Sequence, residues 1–291
     1  MSEQTEVKID AQSVKKLRQE TGAPMMECKK ALVEAEGDFD RAKQILREKG
    51  QAQAAKRAGR TTSEGIAAVA ASDDSTKVAA IVVECETDFV ARNDDFKSMV
   101  SGLADGLLAT VDASAGETVE ADLSTVVNGK SLKEHAEEAI AKIRENIRIV
   151  SAVVVKAADG GKIAIYNHTN TGKAASYIEY TGDNAEAAFQ VAIQTVAFPP
   201  SFLRKEDVPQ EFIDKEIETE TQRAINEGKP AEVAGKIAIG RVNKEFHQAH
   251  VLLEQPFYTD TKKKVAEYVK GAGIEIVGYR HFAVGADPSE D

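Results

Sequence analysis

The run Val78-Ala79-Ala80-Ile81-Val82-Val83 constrains the fold more than any other feature of this sequence. Six consecutive apolar residues leave no polar side, so a strand here must be covered on both faces. The strand Lys77–Cys85 that contains them follows Ile66–Ala71 across the turn cluster Ser72-Asp73-Asp74-Ser75. A helix follows from about Asp94 to Ala109. The same order recurs: Gly161–Tyr166, a turn at His168–Gly172, Ala174–Tyr180 and a helix Ala185–Ala197. The junctions correspond as well, Glu84-Cys85-Glu86-Thr87-Asp88 standing where Glu179-Tyr180-Thr181-Gly182-Asp183 stands in the second copy. Two related α+β halves with antiparallel sheets are expected, because turns this short join only antiparallel strands.

Around these halves the pattern is helical. Residues 10–56 read as three short helices. The first carries Val14 and Leu17 and stops at Thr21-Gly22, Pro24 opens the second, and Asp38 caps the third. The second shows Met25, Cys28, Leu32 and Ala35 at helical spacing, and the third Phe39, Ala42, Ile45 and Leu46. The polar stretch Lys56–Ser63 reads as a linker. Between the halves lie a Gly/Asp/Ser-rich loop (Asp112–Lys130), a helix (Leu132–Asn146) and a strand (Ile147–Lys156). Pro209–Glu227 and Ala231–Phe246 are two helices joined by Gly228-Lys229-Pro230, hence an antiparallel hairpin with arms roughly 25–30 Å long. Its stripe is thin: Phe212, Ile213, Ile217, Ala224 and Ile225 against Val233, Ile237, Val242 and Phe246. A hairpin buried on one face only is expected to project. A helix Lys262–Lys270 and a strand Ile274–Phe282 close the fold. The divisions are 1–56 bundle, 57–63 linker, 64–156 first half, 157–208 with 250–284 second half, 209–249 hairpin (a coiled coil) and 285–291 an acidic, frayed tail.

Composition narrows function. With aromatics at 5% and no Trp, the core must be built from Ala, Val, Ile and Leu. A formal charge of -11 disfavours nucleic-acid backbones, although the basic segment Lys56, Arg57, Arg60 keeps an RNA- or ribosome-binding module in view. Two distant cysteines, Cys28 and Cys85, form neither a disulfide framework nor a zinc cluster and suit a reducing compartment. Residues 1–12 carry no signal-peptide core, and no run approaches the ~20 apolar residues of a membrane span. A cytoplasmic protein with no membrane contact is expected.

The catalytic motifs fail one by one. Asn128-Gly129-Lys130-Ser131 ends like a phosphate loop, but Ser124 stands where the pattern needs Gly. Gly271-Ala272-Gly273 lies after a helix rather than before one, so it reads as a helix end. His247 and His250 have ligand spacing but no third partner, and His135, His168 and His281 are isolated. Cys85 is a conceivable nucleophile, yet Glu84 and Glu86 flank it and disfavour a thiolate. No catalytic residue, metal or cofactor is expected. Thr87-Asp88-Phe89-Val90-Ala91-Arg92 is different: a large aromatic sits among polar turn residues, and the second half closes its junction without one. Phe89 either caps the local core or touches something outside.

Three segments carry a family resemblance. Val14-Lys15-Lys16-Leu17-Arg18 through Thr21-Gly22-Ala23-Pro24-Met25-Met26-Glu27-Cys28-Lys29-Lys30-Ala31-Leu32 resembles the N-terminal signature of elongation factor Ts. Cys85-Glu86-Thr87-Asp88-Phe89-Val90-Ala91-Arg92 resembles its second signature, and Gly228-Lys229-Pro230 with Gln255-Pro256-Phe257 its hairpin tip and return to the core. The similarity runs from about residue 10 to 284. It implies a bundle similar to ubiquitin-associated domains and a non-enzymatic exchange factor for the GTPase elongation factor Tu, with no nucleotide bound directly. It implies that Thr87, Asp88, Phe89 and Val90 approach the partner's magnesium and phosphate site, Phe89 as a wedge. Arg18, Met25, Met26 and Lys29 fall on partner-contact positions, one methionine expected inward and one outward. The sequence departs from some relatives at Gln194, where they have His, and in lacking a further C-terminal helical module.

Overall fold

A computed structural model of the chain describes residues 9–286. The parts of the N-terminal and acidic-tail readings that fall on 1–8 and 287–291 lie outside those residues. The bundle comprises α1 (Ala11–Thr21), α2 (Met25–Glu34) and α3 (Phe39–Arg57). Asp10 and Asp38 cap α1 and α3 by accepting from the amides of Ser13 and Arg41, and Gly22 ends α1 in the left-handed region at φ 67°. The bundle core is Val14, Leu17, Cys28, Ala31, Leu32, Ala35, Ala42 and Ile45.

The first half runs β1 (Glu64–Ala71), β2 (Lys77–Cys85), α4 (Asp88–Arg92), α5 (Asp94–Thr110), β3 (Thr118–Glu120), β4 (Val126–Val127), β5 (Lys130–Ser131), α6 (Leu132–Ile143) and β6 (Arg148–Lys156). The second runs β7 (Lys162–Asn167), β8 (Ala174–Thr181) and α7 (Ala185–Ala197). The hairpin helices α8 (Gln210–Asn226) and α9 (Ala231–Arg241) follow, continuing through a π turn, Val242–Phe246, into α10 (His247–His250). The closing elements are β9 (Pro256–Phe257), β10 (Asp260–Lys264), α11 (Val265–Gly271) and β11 (Glu275–Ala283).

Two antiparallel sheets result, β1-β2-β6-β3 and β11-β8-β7. They are stacked face to face. The period of two along β2 separates the layers: Val78, Ala80 and Val82 meet Ile163, Ala175, Tyr177 and Phe282 of the second sheet. Ala79, Ile81, Val83 and Cys85 meet Phe96, Val100, Leu103 and Leu107 of α5 and Leu132 and Ile140 of α6. The second sheet turns Ile178, Tyr180 and Ile276 toward α7 and α11. The architecture is thus helix, sheet, sheet, helix, an α+β fold in which each half covers the other. Outer β1 is not left open: Asn167 exchanges two hydrogen bonds with the Val69 backbone at 2.8 and 2.9 Å, and the Ala67 N–H donates to Gly172 at 2.8 Å. The side-chain amide of Asn167 is therefore spent on the sheet junction.

Several expectations change. Residues 112–130 are not simply a loop: β3 joins the first sheet beside β6, and β4–β5 form a hairpin whose turn is Asn128-Gly129, both at positive φ. The phosphate-loop look-alike is that turn plus the Ser131 cap of α6, a full capping box with Glu134. Lys262–Lys264 belong to β10, paired with β9, and the helix begins at Val265. Along α8 and α9 the buried seam is Ala224, Ala234, Ala238 and Val242, while Phe212, Ile225 and Val233 are exposed. Small residues let the two helices approach, and the larger apolar side chains are displaced to the flanks. Glu220 lies in that seam, held by Arg223 at 3.0 Å and Arg241 at 3.1 Å. Among the described residues no helix is long and apolar enough to cross a membrane.

The bundle is docked onto the body. Helix α3 lies on α6, with Gln51 donating to Glu137 at 3.0 Å, Arg47 paired to Glu134, and Ala54 packed against the first core. A division at residue 56 therefore cuts a helix that already touches the body. Gly50 sets the spacing, since a Cβ there would stand 3.1 Å from the Ala141 side chain. Gly50→Leu is expected to push α3 off α6 at a cost of about 1–3 kcal/mol. Limited proteolysis then cuts α3 faster than in wild type while sheet amides keep their protection, and unchanged cleavage would show that the helices do not depend on this approach.

Candidate partner-binding site

The register of β1 with β2 ends at Glu64 opposite Cys85, so the backbone beyond Cys85 loses its ladder partner. It turns at once into α4, one helical turn with Thr87 as N-cap accepting from the Val90 N–H at 3.4 Å. Asn93 then caps α5, accepting from the amides of Asp95 and Phe96. The expected strand-to-helix junction is therefore a short helix of its own. Ala91 points into the first core, Val90 packs at its edge, and Arg92 pairs with Asp88 at 3.2 Å. Phe89 faces away and is 82% exposed. The core-capping alternative for Phe89 is excluded by that exposure.

The turn is ordered by residues far away in sequence. The N–H groups of Glu86 and Thr87 donate to Glu145 Oε2 at 3.1 and 3.0 Å, and the Thr87 hydroxyl donates to Oε1 at 2.6 Å. In return the Asn146 N–H donates to Glu86 Oε1 at 2.6 Å, and the Asn146 side chain donates to the Arg60 carbonyl at 2.8 Å. The two carboxylates thus cross, Glu145 accepting from the backbone of Glu86 and Thr87 and Glu86 from that of Asn146. The Asn146 amide, followed by Arg60 at 3.2 Å, holds the Glu86 carboxyl below its ordinary value. Arg57 stands 4.0 Å from the same carboxylate, so two of the three cations in the basic linker face Glu86. No spacing in the sequence signals Glu145 or Asn146; they lie 58 to 60 residues from Glu86 and Thr87.

Cys85 lies beneath this turn, its Sγ donating to the Thr87 carbonyl at 3.3 Å. Burial first, and the Glu145 carboxylate second, push its thiol up to about 12. A group that holds its proton so tightly is no nucleophile near neutrality. The histidines with ligand spacing also separate: His247 is buried with its pKa lowered by burial, whereas the His250 ring meets Ser201 at 3.4 Å and leans on Phe246. Among the described residues no three His, Cys, Asp or Glu side chains converge as a metal site requires.

On the bundle, Arg18 and Lys29 are exposed, and both methionines face outward, Met25 at 43% and Met26 at 62%. The expectation that one methionine packs inward is corrected: α2 buries Cys28, Ala31, Leu32 and Ala35, and Met25 sits in its open first turn. Gln194, noted as a departure, is only 1% exposed. It donates to Gln255 at 2.9 Å and accepts from the Tyr258 N–H at 2.9 Å, which ties α7 to the returning chain and removes it from any surface.

The profile of the family described as Elongation factor TS matches residues 86–286, beginning within this turn. An elongation factor Ts from Hydrogenobaculum sp. (strain Y04AAS1) is 40% identical over 95% of this chain and 99% of its own length. Those of Thioalkalivibrio sulfidiphilus and Aquifex aeolicus are each 38% identical over 95% of this chain, covering 92% and 98% of theirs. The chain belongs to the elongation factor Ts family. It is thereby an elongation factor of protein biosynthesis. In this member of the elongation factor Ts family the candidate contacts form two groups, the α4 turn and the bundle surface, and α6 with the residues just after it touches both.

Alkylation with iodoacetamide at pH 8 tests the thiol chemistry. Cys28 is also buried with a raised pKa, so the native protein is expected to take up no label at either cysteine and the unfolded protein two, read by mass spectrometry. Rapid native labelling of Cys85 would restore it as a reactive group.

Proposed function

We propose that this protein is a guanine-nucleotide exchange factor that binds elongation factor Tu with GDP and promotes GDP release. One observation carries the reading: an aromatic, Phe89, stands 82% exposed on a turn whose entry is held by Glu145 and whose first turn is capped by Thr87. A Phe held in water on an ordered support gains about 1.5–3 kcal/mol on entering an apolar pocket. Little of that gain is lost to ordering the turn. Phe89 enters such a pocket in the GTPase, with Thr87, Asp88 and Val90 beside it. The bundle contacts the nucleotide-binding domain through Arg18, Met25, Met26 and Lys29. The second half and the coiled-coil hairpin reach the partner's other domains.

GTPases hold GDP through backbone N–H groups around the phosphates and through Mg²⁺. Contacts that displace those elements favour the nucleotide-free conformation, and linkage makes the exchange factor and GDP weaken each other's binding reciprocally. The exchange breaks no covalent bond in this chain, so it draws on no acid, base, cofactor or nucleophile here. Against the nucleic-acid reading stand the formal charge of -11 and the pairing of Arg57 and Arg60 with Glu86, which offsets part of the linker's positive charge.

Release of a fluorescent GDP analogue from the cognate elongation factor Tu tests the reading. Wild type is expected to accelerate release strongly. Phe89→Ala is expected to reduce that acceleration about tenfold or more, in line with the loss of a buried aromatic anchor. Its melting temperature should stay at the wild-type value. Equal acceleration by the two proteins removes the wedge, and no acceleration by folded wild type removes the exchange function.

A further inference from the structure

We propose that Glu145 is the positioning residue for Phe89, and that the segment Arg144–Asn146 fixes the α4 turn and the bundle surface relative to each other. The inference rests on the exchange-factor reading, in which both regions touch one partner. Helix α6 ends at Arg144 in the left-handed region, φ 68°, its N–H still donating to Ile140 at 2.8 Å. That reversal delivers Glu145 and Asn146 to the end of β2 before β6 begins. Three donors converge on the Glu145 carboxylate: the two amides that β1 leaves unpaired and the hydroxyl that caps α4. A carboxylate accepting three hydrogen bonds from one turn leaves that turn little freedom, since each such charge-assisted bond is among the stronger ones in a protein.

Arg144 works in the other direction. Its guanidinium lies 3.5 Å from Glu27, which stands on α2 between Met26 and Lys29. Consecutive side chains of one strap thus hold the two groups of candidate contacts, Glu145 the wedge and Arg144 the bundle. The α3–α6 contact, with Gly50 against Ala141, keeps the same helix seated against the bundle from its other side. A change at Glu145 is therefore expected to act on exchange without the residue touching the partner.

The test uses the full chain with Glu145→Ala and Glu145→Gln, each alone and in the Phe89→Ala background. Two readouts are taken: hydrogen exchange at the Glu86 and Thr87 amides, and acceleration of GDP release. Glu145→Ala is expected to speed exchange of those two amides at least tenfold, the factor for one lost charge-assisted hydrogen bond, with the central β2 amides unchanged. It is expected to lower GDP release about tenfold. In the Phe89→Ala background the same change should cost less than about twofold, because a wedge that is absent cannot be misplaced. Glu145→Gln keeps the shape with a neutral acceptor and should fall between wild type and Glu145→Ala in both readouts.

Unchanged amides in Glu145→Ala overturn the clamp. Loosened amides with undiminished release overturn the positioning role. Losses that multiply with Phe89→Ala also overturn it, since Glu145 would then act independently of the wedge. If Glu145→Ala does not fold, Glu145→Gln must loosen the amides and slow release together, and either effect alone overturns the proposal. Wild type that never accelerates release overturns the exchange reading itself and the positioning role with it, an outcome seen before any variant is compared.

Discussion

The burial of β2 on both faces is the constraint on which the rest of the structure depends. Its odd-numbered side chains from Ala79 to Cys85 complete the core under α5 and α6, and its even-numbered ones from Val78 to Val82 complete the core between the sheets. Neither half could bury its inner sheet face without the other, so the duplicated units are one cooperative body rather than two domains on a string. The strand is also what positions the site. Cys85 is its last paired residue, and four residues later Phe89 faces outward. An outward aromatic shortly after the most fully buried strand stands on a well-anchored support.

Much of this was legible in the sequence because it is local. The unbroken run 78–83, the turn cluster at 72–75, the Gly and Asp caps of the bundle and the Pro-bounded hairpin each act through neighbours within a few residues. Phe89 was legible as an anomaly, an aromatic where the second copy needs none. What escaped was set by contacts distant along the chain. Glu145 and Asn146 look like ordinary residues of a polar helix end until the fold brings them to Glu86. Ala224 and Val242 of the hairpin seam were legible, but Ala234 and Ala238 escaped, because hydrophobic spacing favours large side chains whereas close helix approach favours small ones. Met25 kept the spacing of a core residue at a position with nothing to cover it.

The acidic balance also changes meaning in three dimensions. A charge of -11 discourages polyanions, yet several of these carboxylates are internal acceptors rather than surface charge. Glu84 is buried, accepting from the Thr62 hydroxyl at 2.7 Å and the Gly285 N–H at 3.2 Å, with Arg148 at 3.9 Å. Glu86 and Glu145 serve the turn, and Glu254 gathers Lys205 and Lys264. Carboxylates suit these places because each offers two acceptor oxygens to backbone N–H groups that have left a sheet or begun a helix. A shortage of aromatic side chains for the core is thus accompanied by polar cross-links at the joints between elements.

For a protein that acts by displacing another protein's ligand contacts, rigidity matters more than contact area. Any freedom left in the wedge must be frozen on binding, and that cost is subtracted from the energy available to distort the partner. A flexible Phe on a long loop would bind more weakly and displace less. Phe89 stands instead on a five-residue helix whose N-cap, preceding amides and following cap are all satisfied before any partner arrives. On the exchange-factor reading, the clamp that fixes this turn and the strap that ties it to the bundle belong to the mechanism as much as the aromatic ring does. On that same reading, the energy of two contacts acts on the partner at one fixed separation.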